Sequence, residues 1–158
     1  MNIFVSHSMR DKNLTDRLRG LIKKNGFTPL IAEDETSLSE TITQKVERLI
    51  ADSELAVVLL TRNGNSAGFV QQEVGYLQKS AKPMLLLVEK GLEKDVSGFL
   101  YGRDFLTVDP DDIDSGLRST EERILSFEFL WRQKRAIGTI IFVILVAVLV
   151  WIAAKSSQ

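Results

Sequence analysis

The run LAVVLLT, residues 55 to 61, holds no polar residue before its final threonine. A stretch that is apolar at both alternating sets of positions has to be covered on both faces. A central strand of a parallel sheet meets that demand, because the crossover helices pack on either side of it. MLLLVE, residues 84 to 89, has the same character, and IFVS, FTPLIA and DFLTVD are shorter strand-like runs. Between them the apolar period becomes helical: Leu14, Leu18, Leu21 and Ile22 recur along one face, and so do Ile42, Val46, Leu49 and Ile50. This alternation predicts an α/β fold, a flavodoxin-like parallel sheet of about five strands flanked by helices.

The punctuation fits the same scheme. Gly26 is placed to end a helix that begins near Asp11, and Pro29 points to an edge strand or a strand start for FTPLIA. Ser37 and Glu40 have capping-box spacing ahead of the Ile42 helix. RNGNSAG reads as a turn-rich loop before a helix from about Phe69 to Lys79, and KGLEKDVSGFLYG reads as irregular. A last amphipathic segment aligns Ile113, Leu117 and Ile124.

From Ala136 to Ala154 the chain runs AIGTIIFVILVAVLVWIAA without a charge. As a helix this covers about 28 Å, close to the hydrocarbon thickness of a bilayer. The expected organisation is a cytoplasmic domain over 1–131, a basic juxtamembrane segment over 132–135, a transmembrane helix over 136–154 in contact with membrane lipid, and a short tail over 155–158. Arg132, Lys134 and Arg135 precede the apolar run and only Lys155 follows it, so the positive-inside bias keeps the large N-terminal part in the cytoplasm of a single-pass protein of the cell membrane. The opening MNIFVSHSMRDK lacks the basic start and long apolar core of a signal peptide.

Composition removes several chemistries. A net charge of -1 offers no general attraction for nucleic acid. With no cysteine and one histidine, His7, there is no thiol nucleophile, no disulfide framework, no cysteine-based zinc site and no HExxH-type cluster. Neither a P-loop nor a GxGxxG fingerprint is present.

One carboxylate stands out. On the helix within NSAGFVQQEVGYL, Phe69, Val70, Val74, Tyr76 and Leu77 share one side of the wheel, and Glu73 falls among them. A structural ion pair or a solvated rim would account for it, and so would a ligand site. Ligands of open parallel sheets sit beyond the carboxyl ends of the strands. The loops leaving those ends are SHSMRD, EDETSLSE and RNGNSAG, which should bring Ser6, His7, Ser8, Asp34 and the start of the Glu73 helix to one rim.

IFVSHS, the long loop after FTPLIAED, SELAVVLLT and NSAGFVQQE, taken in order, resemble a TIR domain over about Asn2 to Asp109. Many members cleave NAD⁺ at the nicotinamide-ribose bond with a glutamate in a [WF]-V-x-x-E pattern, which here is Phe69-Val70-Gln71-Gln72-Glu73. The resemblance implies an NAD⁺ nucleosidase of the prokaryotic type with Glu73 catalytic and NAD⁺, or a related nucleotide, as substrate, and with no metal or cofactor required. It implies substrate contacts at Ser6, His7, Ser8 and Phe69, with Asp34 and Leu38 in a loop that gates the pocket or meets a neighbouring subunit. It also implies self-association and a role in antiviral defence or cell-death signalling.

Local readings stand beside these. His7 could be a polar loop residue, Asp34 a turn or capping residue, and Ser8 the cap of the following turn. SLSET has no glycine or proline where the family's gating loop usually has both, and Phe69 replaces the commoner tryptophan. A receiver domain shares the fold class but wants acidic residues where Ser6-His7-Ser8 and Thr61-Arg62 stand. Two non-hydrolytic functions remain as alternatives to the enzyme: a TIR scaffold for signalling, and a nucleotide sensor that disturbs the membrane through clustered helices.

Overall fold

A computed structural model describes residues 1–35, 39–65, 69–96 and 104–156; the side chains of 65, 69–72, 95, 96, 141, 143, 148 and 150–156 lie outside that description. The described chain divides into two compact units, Met1–Glu122 and Arg123–Gln158.

In the first unit the strands are β1 (Asn2–Ser6), β2 (Thr28–Leu30), β3 (Leu55–Leu60), β4 (Met84–Glu89) and β5 (Phe105–Val108). They form one parallel sheet in the order β2-β1-β3-β4-β5. The fully apolar run is β3, buried at every position and central in the sheet, whereas β2, with Pro29, is an edge. The helices are α1 (Lys12–Lys24), α2 (Ile42–Ala51), α3 (Arg62–Asn65), α4 (Phe69–Lys79), α5 (Glu93–Val96) and α6 (Ile113–Ser156).

Alternation along β1 divides its side chains between the two faces. Phe4 joins Val46 and Leu49 of α2, Val74 and Leu77 of α4, and Val58 and Leu60 of β3 in one buried cluster. Ser6, two residues on, points to that same face at the end of the strand, where it pairs with Val58. The sheet thereby directs a hydroxyl toward the second turn of α4.

Gly26 ends α1 at φ +75°, with Gly26 N donating to Lys23 O (3.0 Å) and Phe27 N to Ile22 O (3.1 Å), a Schellman closure. Gly116 lets α6 approach β5: a Cβ there would lie 3.1 to 3.3 Å from Val108 side-chain and backbone carbons.

Several expectations change. The capping box of α2 is built by Thr41 and Gln44 rather than Ser37 and Glu40, with Gln44 N donating to Thr41 Oγ1 (3.2 Å) and Thr41 N to Gln44 Oε1 (3.0 Å). Glu40 is engaged by Arg48 instead (3.1 Å), and Ser37 lies outside the described residues. Part of RNGNSAG is the short helix α3, because Thr61 receives the Gly64 N–H at both its hydroxyl and its carbonyl. Part of the irregular segment is α5, and 97–103 lie outside the described residues.

The second unit consists of the later part of α6 and is helical to Ser156. From Ala136 onward its described apolar residues, among them Ile137, Ile140, Phe142 and Leu149, are exposed, and Arg135 stacks over the Trp131 ring at 4.6 Å. Among the described residues no helix is long and apolar enough to cross a membrane. The side chains of 141, 143, 148 and 150–154, within the expected span, are not among those described.

Candidate functional site

Glu73 occupies the buried side of α4 one turn before Leu77, which is fully buried. Continuing that stripe toward the N-terminus of α4 carries Glu73 to the edge of the sheet where β1 ends. Burial penalises its anion first and raises its pKa to about 7; nearby Ser6 pulls the value down, and the negative charge of Glu33 pushes it up again. Ser6 Oγ and Glu73 Oε2 are both buried without a well-aligned hydrogen-bond partner among the described residues. The hydroxyl is therefore near enough to act on the carboxyl electrostatically, while Oε2 stays buried and unpartnered among the described residues.

Glu73 lines a cleft of about 650 Å³, within the range of about 300–1,000 Å³ usual for small-molecule sites. The turn after β1 supplies His7, Ser8 and Met9, the segment after β2 supplies Ala32, Glu33 and Glu35, and α2 supplies Ile42, Lys45 and Val46. A smaller groove of about 310 Å³ meets the first at Ile42, Val46 and Glu73 and runs on along Tyr76 and Lys79.

The turn after β1 is braced from below. Ser8 caps it, accepting from Arg10 N (3.3 Å). Asp11, buried, accepts from Thr61 Oγ1 (2.6 Å) and Asn63 Nδ2 (3.0 Å), tying the exit of β1 to the exit of β3. Gly64 is part of this packing, since a Cβ there would come within 3.3 Å of both Ser8 Cβ and Thr61 Oγ1. His7 is held with Nδ1 3.4 Å from Val5 O and Nε2 3.6 Å from Glu33 Oε2.

The opposite wall is tied down from α2. Lys45 Nζ donates to Glu35 O (2.5 Å) and lies 3.5 Å from Ala32 O, and Arg48 bridges the carboxylates of Glu35 (2.5 Å) and Glu40 (3.1 Å). The two carboxylates hold the Arg48 guanidinium well above its ordinary pKa.

Of the residues named from sequence, Glu73, His7 and Ser8 line the cleft and Ser6 lies buried beside Glu73. Asp34 turns away from it and accepts from Arg19 Nη2 at 2.8 Å. Leu38 and the side chain of Phe69 lie outside the described residues. Sequence reasoning missed Glu33, Met9, Ile42 and Lys45. Ile42 was expected on the buried face of α2, yet it is 66% exposed, because it opens the helix a full turn beyond Val46 and reaches the mouth of the cleft instead. A signal for Met9 and Ile42 was their apolarity beside loops; the roles of Glu33 and Lys45 had none, since they depend on contacts between separate segments. No group of acidic or histidine side chains suited to a metal ion occurs among the described residues.

The family model for the TIR domain matches residues 3–119. Among solved structures, a crystal structure of a prokaryotic SEFIR domain superposes with a TM-score of 0.57 at 17% identity, covering 77% of this chain and 96% of that one. This likeness speaks to the fold alone. No curated protein matches significantly.

Proposed function

The chain belongs to the TIR domain family, and from that membership we propose that it is a membrane-anchored NAD⁺ glycohydrolase whose acting group is the Glu73 carboxylate. The observation that carries the reading is a half-buried Glu73, its carboxyl raised to about 7, on the wall of a cleft of about 650 Å³ beside the turn that ends β1.

The chemistry asks little of the protein beyond charge placement. Nicotinamide leaves as a neutral molecule, taking the electron pair of the C1′–N bond, so no acid is needed. The ribose left behind is oxocarbenium-like, and an anionic carboxylate in a water-poor cleft stabilises it. Water then adds at C1′ and gives up its proton, forming ADP-ribose. Burial favours the neutral form of Glu73 and raises its pKa to about 7. A cationic nicotinamide ring beside it favours the anion. The substrate thus creates the charge state that its own cleavage uses, and the departing neutral base releases it.

Ala136 to Ala154 is proposed as the membrane span, with the Met1–Glu122 unit in the cytoplasm. Its support is the charge-free sequence, the basic residues before it and the helical backbone of α6 through Ser156. TIR domains commonly self-associate. Crowding in a membrane plane would favour such assembly by raising the effective concentration. A place in prokaryotic antiviral defence or cell-death signalling is part of the same proposal.

The test uses the full chain in liposomes, supplied with NAD⁺, with free nicotinamide as the readout. Glu73→Gln should lower release by about a hundredfold or more. Equal release from wild type and variant would reject Glu73 as the acting group. Binding of NAD⁺ with no release on crowded liposomes would favour the nucleotide sensor instead. The anchor is tested by washing the membranes at alkaline pH, where recovery of the chain in the soluble fraction would reject it.

A further inference from the structure

Just ahead of the proposed span, α6 leaves large apolar side chains uncovered. Phe129 is 66% exposed and Leu130 54%, and Trp131 is half-buried under the Arg135 guanidinium, which stacks on its ring at 4.6 Å. At about 100° per residue these three side chains leave the helix in three directions. A second helix covers one stripe and would leave the others in water. A medium that surrounds the helix covers all three.

The charges on the same turns say which medium. Arg132, Lys134 and Arg135 are exposed. Glu128 is the one acidic side chain between residues 123 and 158, and Arg132 already engages it. Lys134 and Arg135 are left in excess, so the segment is positive and is drawn to a negatively charged surface. Trp131 fits such a surface as well, since an indole with a cation on its face suits the boundary between hydrocarbon and water.

Distance along the helix sets the depth. From Trp131 to Ala154 the helix covers about 36 Å, one hydrocarbon core plus one headgroup layer. Leu130 and Phe129 follow at the outer edge of that layer. Arg132, Lys134 and Arg135 stand about 2–6 Å outside Ala136, at the level of lipid phosphates.

We infer that the segment from Phe129 to Arg135 is a binding surface for the headgroup layer of anionic phospholipid. Phe129, Leu130 and Trp131 lie among the headgroups, and Arg132, Lys134 and Arg135 meet the phosphates. The inference rests on the membrane span proposed above and goes beyond it, because a span by itself requires no preference among lipids. It does not depend on Glu73 or on any reaction.

The test uses the full chain carrying Trp151→Phe, which leaves Trp131 as its single tryptophan. The protein is reconstituted in vesicles of phosphatidylcholine mixed with an equal part of phosphatidylglycerol, and the vesicles are washed at alkaline pH. Loss of the chain in the wash rejects the span, and the inference falls with it. In chain that is retained, Trp131 should resist acrylamide quenching relative to a free tryptophan amide. Brominated phosphatidylglycerol should quench it about two- to fivefold more than brominated phosphatidylcholine at the same mole fraction.

Replacing Lys134→Gln and Arg135→Gln together should abolish that preference while the wash still retains the chain. Equal quenching by the two brominated lipids in the parent, or a preference unchanged by the double replacement, would overturn the inference and leave the span standing. So would acrylamide quenching as strong as that of the free amide. Shielding that disappears as lipid is added in excess over protein would show that copies of this chain, rather than lipid, cover these side chains, and would overturn it equally.

Discussion

Ser6 and Glu73 meet at the corner where β1 ends and α4 enters its second turn, one buried hydroxyl beside one buried carboxyl, and the hydroxyl draws down a pKa that burial has driven up. Removing that hydroxyl should leave desolvation and the Glu33 charge unopposed. For Ser6→Ala the acidic limb of kcat/KM should move to higher pH than in wild type, with activity recovered at pH 9. Stability should change by less than about 1 kcal/mol, because Ser6 Oγ makes no well-aligned hydrogen bond. An unshifted limb would show that Ser6 does not tune Glu73.

In wild type the anion is the working form, so kcat/KM, which reports the free enzyme, should fall as pH drops through about 7. The cationic substrate lowers the pKa in the complex, so the corresponding fall in kcat should come at lower pH. Steady-state kinetics between pH 5 and 9 checks the order of the two limbs; coincident limbs would argue against a charge on the substrate next to Glu73.

The same shift predicts a pH-dependent stability. Glu73 titrates near 7 in the folded chain and near 4.5 when unfolded, so between those values the folded state holds the proton and the unfolded state does not. Stability from this group is complete below about 4.5 and is lost as pH rises through about 7, on the order of 3 kcal/mol in all. Glu73→Gln removes the dependence. Its melting temperature should therefore gain on wild type from pH 4.5 to 7.5 and stay level beyond; a constant difference would mean that Glu73 titrates normally.

Lys45 holds the wall opposite Glu73 through the carbonyls of Glu35 and Ala32, without being asked to touch the reacting atoms. Lys45→Met keeps the aliphatic stem and cuts these ties. It should raise KM for NAD⁺ several-fold with a smaller effect on kcat, and Lys45→Arg should restore much of the loss. A fall in kcat at constant KM would assign Lys45 to the chemistry rather than to the shape of the cleft.

At Gly116 the close approach of α6 to Val108 would put an added methyl group 3.1 to 3.3 Å from Val108 carbons, so one side must give by a few tenths of an ångström. Gly116→Ala should destabilise by about 1–2 kcal/mol, the overpacking cost outweighing the helix-propensity gain of alanine. The fall in melting temperature should be about 3–8 °C. An unchanged or higher value would show that α6 shifts freely against β5.

Much of the frame was legible because it depends on local patterns. The apolar run of β3 and its two-sided burial, the glycine that ends α1 and the stripe that carries Glu73 can each be read within a dozen residues. Less local features were misread for identifiable reasons. Ser37/Glu40 and Thr41/Gln44 both have capping spacing, but Thr41 and Gln44 build the box while Glu40 is held by Arg48. Asp34 sits in the loop where a ligand contact was expected, but an arginine on α1 lies within reach and takes its carboxylate.

The sequence by itself determined the alternation of strands and helices, and the presence of an acid in an apolar stripe, because hydrophobic periodicity is a property of neighbours along the chain. Only the tertiary structure decided which of these acids is met by a donor. Asp11, Asp34, Glu35 and Glu40 are each met by a donor from another segment, whereas Glu73 Oε2 has no such donor among the described residues and is buried beside a cleft. Pairing and desolvation depend on distances across the fold, and those distances set the charge that a carboxyl carries.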